Sequence, residues 1–214
     1  MYEGSVHMIS DIKASFIYKT IYLVIGFIGL FLATEIITGK FNDGFFVYYT
    51  NLSNLIAYGL MVALWWVDYQ SLKGKPQAFK YPTIRFVITI MILVTLIIYN
   101  TLLGNMFDPN YWRVRNVIMH LLGPILVVLD FLLFNPKNNL KWRAILDSLI
   151  LPYAYVIVTL IIGVFTNSYP YFFLNVNNIG YGGLLGWVFI LTLGFLVLSL
   201  GLVGYNKTIL KNKK

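Results

Sequence analysis

The sequence predicts an all-α polytopic membrane protein, on the basis of its composition and its long apolar segments. Of the 214 residues, 59% are hydrophobic and only 11% are charged, and the mean hydropathy is +0.76. Soluble domains have roughly 25% charged residues, so this chain is expected to be integral to a membrane. The net charge of +8 would suggest nucleic-acid binding in a soluble protein. In a membrane protein the positions of the charges matter more, and no nucleic-acid partner is expected.

Six segments are apolar enough to cross a bilayer as helices, each of which needs about 20 mostly apolar residues. Turn-forming stretches such as KGKPQ and FNPKNN separate them. The N-terminal tail lacks the apolar core and cleavage site of a signal peptide, so the first span is expected to remain in the protein. Residues 1–214 therefore form one expected six-helix domain, with spans at about 16–37, 45–67, 84–103, 114–134, 148–165 and 184–205.

Basic residues predict the orientation, because cytoplasmic loops of membrane proteins are enriched in lysine and arginine. One side carries only Lys40, Arg113 and Arg115. Both termini are therefore expected to be cytoplasmic. The Lys-, Asn- and Ile-rich composition indicates a bacterial plasma membrane. The side predicted to be cytoplasmic holds Lys13, Lys19, Lys73, Lys75, Lys80, Arg85, Lys137, Lys141, Arg143, Lys207, Lys211, Lys213 and Lys214.

The residue inventory limits the chemistry. The chain has no cysteine, which excludes disulfides, thiolate metal sites and a cysteine nucleophile. Of its two histidines, His7 lies in the N-terminal tail, so a bis-histidine haem inside the membrane is excluded. We expect neither a metal nor an organic cofactor.

The second span begins with a cluster of polar residues in the stretch FFVYYTNLSNLIAYGLMVALWW. Such side chains need hydrogen-bond partners in hydrocarbon. Thr50, Ser53 and Asn54 are spaced three and four apart, so they share one helix face. A threonine in such a helix usually bonds its own i−4 carbonyl, and asparagines or Ser53 can simply join helices.

His120 is the only histidine in a predicted span, and ionisable groups there are usually functional. At 1.5 Å per residue it lies roughly 9 Å inside the outer end of its span, and Thr50 lies roughly 7 Å inside its own. Asn116 precedes His120 by four residues and could choose its tautomer. Asp130, about 15 Å along the same helix, is too far to assist. The outer polar layer is expected to include also Glu35, Asn100 and a covering fifth loop with Asn175, Asn177, Asn178 and Tyr181.

Three stretches, YYTNLSNL, NVIMHLLGP and YPYFFLNVNNIGYGG, resemble the Pr6Pr group of bacterial six-helix membrane proteins. That group is similar to the eukaryotic androgen-induced gene 1 protein and androgen-dependent TFPI-regulating protein. These relatives are membrane threonine hydrolases that cleave fatty acid esters of hydroxy fatty acids with one threonine and one histidine. The resemblance implies that Thr50 and His120 hold these roles here and that the substrate is a lipid ester.

In the expected mechanism, His120 takes the proton of Thr50, which attacks the ester carbonyl and forms an acyl-threonine. Side-chain amides are the expected oxyanion donors, because no arginine is expected at that depth. Asn116, or alternatively Glu35, would orient His120. The oxyanion or orienting candidates are Asn51, Asn54, Asn116 and Glu35, and the pocket candidates are Ser53, Asn100 and Tyr181.

Other functions remain open from the sequence. A transporter or lipid-binding protein is one alternative, although no repeat of the kind found in transporters is visible. A structural subunit, whose polar layer only joins helices, is another. Acyl transfer shares the acyl-enzyme and differs only in the acceptor. The sequence makes no prediction of the oligomeric state.

Overall fold

The computed structural model describes residues 11–208, and six helices in this range are long and apolar enough to cross a membrane. This confirms the predicted fold class, and no strand occurs in the described range. His7, Lys211, Lys213 and Lys214 lie outside the described residues. The helices are α1 (Ile12–Ala33), α2 (Tyr49–Leu72), α3 (Pro82–Leu103), α4 (Val114–Phe134), α5 (Ala144–Thr166) and α6 (Val176–Thr208).

Helix α3 lies at the centre of the bundle. Its residues Ile88 and Ile92 pack with side chains of α1, α2 and α4. Phe86 and Ile90 pack instead in a second core with α4, α5 and α6. Apolar residues on different sides of α3 are therefore buried against all the other spanning helices. Helices α5 and α6 expose most of their apolar residues, as expected of surfaces that face lipid.

One end of the bundle, here called the charged end, holds a network of buried ion pairs. Asp130 of α4 pairs with Arg85 of α3 at 2.6 Å and with Lys19 of α1 at 3.1 Å. Lys19 also pairs with Asp68 of α2 at 2.9 Å, and Asp68 accepts a hydrogen bond from Ser15. Four helices are thus joined where α1 and α3 begin and α2 and α4 end.

Helix boundaries at the opposite end, here called the cavity end, differ from the predicted spans. Helix α1 ends at Ala33 rather than near residue 37, because Glu35 adopts a left-handed conformation with φ 58°. Helix α2 begins at Tyr49, so Thr50 is the second helical residue and not five residues inside the span. Helix α6 starts at Val176 and is interrupted at Gly180, whose φ of 65° favours glycine.

Candidate functional site

A polar cavity of about 470 Å³ lies at the cavity end of the bundle. The helices α2 and α4 contribute Thr50 and His120 to its walls, so the two residues paired by the sequence analysis share one chamber. The remaining walls come from the end of α1, the segment after it, α3 and the fifth loop. The other polar and aromatic residues that line the cavity, from all of these elements and from α2 and α4, are Glu35, Asn42, Tyr48, Asn51, Tyr99, Arg115, Asn116, Pro170 and Tyr171.

Thr50 differs from most of the helical threonines because it lies in the first turn of its helix, α2. A threonine deeper in a helix donates to the carbonyl four residues earlier. Residue 46, four before Thr50, precedes the helix, so that bond has no helical acceptor and the hydroxyl is free for other partners. The threonines that do donate to an i−4 carbonyl are Thr20, Thr89, Thr95, Thr101, Thr166 and Thr192.

His120 is held by one backbone contact and one aromatic ring. Its Nδ1 lies 3.1 Å from the carbonyl oxygen of Asn116. A carbonyl can only accept, so the neutral ring carries its proton on Nδ1 and leaves the lone pair on Nε2. The ring of Tyr99 stacks on the imidazole with centroids 3.4 Å apart. In this tautomer Nε2 is the basic nitrogen of His120.

The backbone around His120 forms a π-helical turn over Ile118–Leu122. Pro124 has no N–H to give to the carbonyl of His120 four residues earlier. The N–H of Gly123 passes over Met119 and donates to Ile118. The carbonyls of Met119 and His120 thus lose their helical donors, and such π-turns are frequent at functional sites.

Two asparagines supply the missing donors. Asn100 of α3 donates its amide to the carbonyl of His120 at 3.0 Å. Asn54 of α2 donates to the carbonyl of Met119 at 2.9 Å and to that of Thr50 at 2.8 Å. One amide group thus links the backbone of Thr50 to the turn that holds His120. Asn54, predicted as an oxyanion donor, has both amide protons engaged, so it positions the site and does not donate to a substrate.

The orienting groups differ from those expected. The backbone carbonyl of Asn116 orients His120, while the side-chain amide donates to Asn110 at 2.8 Å. Glu35 lines the cavity but pairs with Arg115 at 2.5 Å. The expectation that no arginine reaches this level was therefore wrong. Asn51 lines the cavity and stays a candidate donor.

Several predicted pocket residues lie elsewhere. The Ser53 hydroxyl is fully buried between helices, 2.8 Å from that of Thr95. Asn100 donates its amide to the backbone carbonyl of His120 and accepts a hydrogen bond from Tyr111. Tyr181 is 73% exposed and is not among the residues that line the cavity. The fifth loop does cover the cavity, but with Pro170 and Tyr171 rather than with its asparagines.

A second, apolar cleft meets the polar cavity at Thr50. The two spaces share Thr50, Tyr99, Leu103 and Tyr171. The cleft runs between α2, α3, α5 and α6, and nearly all of its lining surface is apolar. The hydroxyl of Tyr49, which also lines it, is buried without a hydrogen-bond partner. Side chains that extend the cleft away from Thr50 are Val94, Pro152, Val156, Leu191 and Phe195.

Tyr171 and Arg115 are site residues that the sequence analysis did not assign. Tyr171 lies in the loop between α5 and α6, where tyrosines are too common to single one out. Burial raises the pKa of Tyr171, while hydrogen bonds from Thr50 act in the opposite direction. In the described part of the chain, no three His, Asp or Glu side chains form a group that could hold a metal ion.

Comparison of the chain with protein-family models, with curated proteins and with solved structures finds no match. The chemistry of the site is therefore inferred from its own residues.

Proposed function

We propose that this membrane protein hydrolyses lipid esters, with Thr50 as the nucleophile and His120 as the general base. The observation that carries the proposal is the position of Thr50 at the junction of two spaces. On one side is a polar cavity that contains His120, and on the other is a small apolar cleft, with about 60 Å³ of free volume, whose lining matches an acyl chain in chemistry. A lipid ester has the same two halves, joined at the carbonyl that Thr50 would attack.

Acylation begins when Nε2 of His120 takes the hydroxyl proton of Thr50 and Oγ bonds to the ester carbonyl carbon. The carbonyl electron pair moves onto oxygen. When the tetrahedral intermediate collapses, the alcohol leaves and takes the proton from His120. Water then attacks the acyl-threonine, again through His120, and releases the fatty acid. The resemblance to membrane threonine hydrolases supports the same roles and suggests fatty acid esters of hydroxy fatty acids as substrates.

The charges support an orientation for this chemistry. The basic residues of the loops at the charged end exceed those at the cavity end, and such residues favour the cytoplasm. Both termini would then be cytoplasmic and the cavity would open in the outer leaflet of a bacterial plasma membrane. A lipid could enter sideways while water reaches the ester from outside.

Covalent labelling tests the proposal directly. The detergent-purified protein would be treated with a long-chain alkyl fluorophosphonate, and the adduct would be mapped by mass spectrometry. We expect the adduct on Thr50 and its loss in Thr50→Ala and His120→Gln. Thr101→Ala is the matched control, because Thr101 lies outside the site and bonds its own i−4 carbonyl at 2.7 Å.

An adduct that persists in Thr50→Ala would exclude Thr50 as the nucleophile. Absence of any adduct on folded protein would contradict ester hydrolysis and favour a protein that binds or transports lipids.

A further inference from the structure

Tyr171 of the fifth loop reaches the nucleophile itself. Tyr171 and Thr50 both line the polar cavity and the apolar cleft, and the Thr50 side chain is near enough to the Tyr171 hydroxyl to lower its pKa. The Tyr171 ring is fixed by stacking on Phe173 at 5.1 Å between centroids and by a contact with Tyr155 at 6.4 Å. The hydroxyl is thus held at the point where the two halves of an ester would meet.

The same hydroxyl lies at the N-terminus of α2. The first N–H groups of a helix have no acceptor within the helix. Those of Tyr49 and Thr50, the first two helical residues, lie near the Tyr171 oxygen and act to lower the pKa of its hydroxyl. An oxygen that accepts from backbone N–H groups keeps its own proton for donation, and such chains polarise the donor further. Tyr171 is therefore prepared to donate rather than to accept.

We propose that Tyr171 is a third catalytic residue, which donates its hydroxyl proton in a hydrogen bond to the oxyanion formed at Thr50. This inference rests on the proposed function and deepens it. Two of the predicted amide donors already donate to backbone carbonyls. Asn54 uses both amide protons on backbone carbonyls, and Asn116 donates to Asn110.

In the reaction, the bond from Thr50 Oγ to the carbonyl carbon forms as the carbonyl π bond breaks, and the proton goes to His120. The former carbonyl oxygen, where negative charge develops, accepts a hydrogen bond from the Tyr171 O–H. No proton is transferred from Tyr171. That hydrogen bond weakens when the carbonyl re-forms and the alcohol leaves. The donor thus acts where charge appears in the transition state.

Tyr171→Phe tests the assignment, because phenylalanine keeps the stacked ring and removes only the hydroxyl. We expect the rate of Thr50 phosphonylation by the fluorophosphonate to fall about 100-fold, as for loss of an oxyanion donor. A trifluoromethyl ketone with an octyl chain, which forms a tetrahedral adduct, should bind correspondingly more weakly. The matching octyl ether forms no adduct. The Tyr171→Phe protein should bind it with an affinity within about twofold of that of the parent protein.

Tyr169→Phe is the control, since Tyr169 lies in the same loop and packs against Gly163, away from Thr50. Unchanged labelling of Thr50 in Tyr171→Phe would overturn the oxyanion role. The role would also be overturned if the affinities for the ketone and for the ether fell by the same factor and the melting temperature fell as well, because that pattern indicates a structural role. In either case Thr50 would still be labelled, whereas failure of the proposed function would remove labelling of Thr50 from the parent protein as well.

Discussion

The two ends of the bundle differ in how their polar groups within the membrane are arranged. At the charged end, Lys19 and Arg85 are paired with Asp68 and Asp130, and the paired cations are buried. At the cavity end, amides and hydroxyls line a space of about 470 Å³ together with His120 and one solvent-exposed ion pair, that of Glu35 with Arg115. Buried charges are satisfied by one another at the first end, and polar groups are left available at the second.

This difference assigns separate tasks to the two ends. A buried ion pair whose partner is removed leaves an uncompensated charge, so the charged end should govern folding. Groups that line an open cavity can be changed with less loss of packing, so changes there should affect chemistry first. Residues such as Asn54, which connect cavity residues to the backbone, should affect both.

The largest effect on stability is expected from Asp130→Asn at the charged end. It leaves Lys19 and Arg85 without their shared carboxylate, and removal of one partner from a buried pair costs about 3–5 kcal/mol. Thermal unfolding in detergent measures the loss. Asp147→Asn is the control, since the 3.6 Å pair of Asp147 with the 84% exposed Arg143 side chain should contribute no more than about 1 kcal/mol. Equal effects of the two substitutions would contradict the account of this end.

A second effect is expected at Gly123, beside the π-helical turn. A Cβ there would lie 2.7 Å from the carbonyl oxygen of Ile118, which forces the backbone to shift. Gly123→Ala should cost about 1–3 kcal/mol and should also slow labelling of Thr50 because His120 moves. The control is Gly59→Ala on α2, where a Cβ meets no atom within 4 Å. A fully active, stable Gly123→Ala protein would show that the turn does not position His120.

Two asparagines at the start of α2, Asn51 and Asn54, are expected to affect stability and labelling differently. Asn54→Leu removes both amide hydrogen bonds that link Thr50 to Met119 and should lower stability by about 1–3 kcal/mol. Asn51→Leu changes a cavity wall and should alter stability by less than about 0.5 kcal/mol. Unfolding curves and labelling rates of both variants check this. If Asn51→Leu destabilised the protein more, the roles assigned to the two amides would be reversed.

The smallest effect is a pH dependence at the charged end. Burial and the nearby Arg85 lower the pKa of Lys137 to about 8. Since its pKa in the unfolded chain is higher, the unfolded state binds more protons between these values, and stability should rise with pH above about 8. The melting temperature should follow this trend, and Lys137→Met should remove part of it. The same slope in both proteins would contradict the prediction.

The fold was predictable because hydrophobic length alone identifies helices that cross a membrane. The placement of Thr50 and His120 near one another could also be predicted from the sequence, because polar residues in membrane-spanning helices are few. The helix boundaries were harder to predict. For example, the left-handed conformation of Glu35 ends α1 although the sequence stays hydrophobic beyond it. Arg115 and Tyr171 enter the site through tertiary packing that no local pattern encodes. The role of Asn54 depends on carbonyls released by Gly123 and Pro124 two helices away.

The central claim is that Thr50 carries the acyl group, and trapping that intermediate tests it most directly. The protein would be mixed with p-nitrophenyl octanoate, quenched in acid within seconds and digested for mass spectrometry. The account predicts an octanoyl group on Thr50 and no such adduct when His120→Gln is treated in the same way. Turnover that is retained by Thr50→Ala, or an octanoyl group found only on another residue, would contradict it.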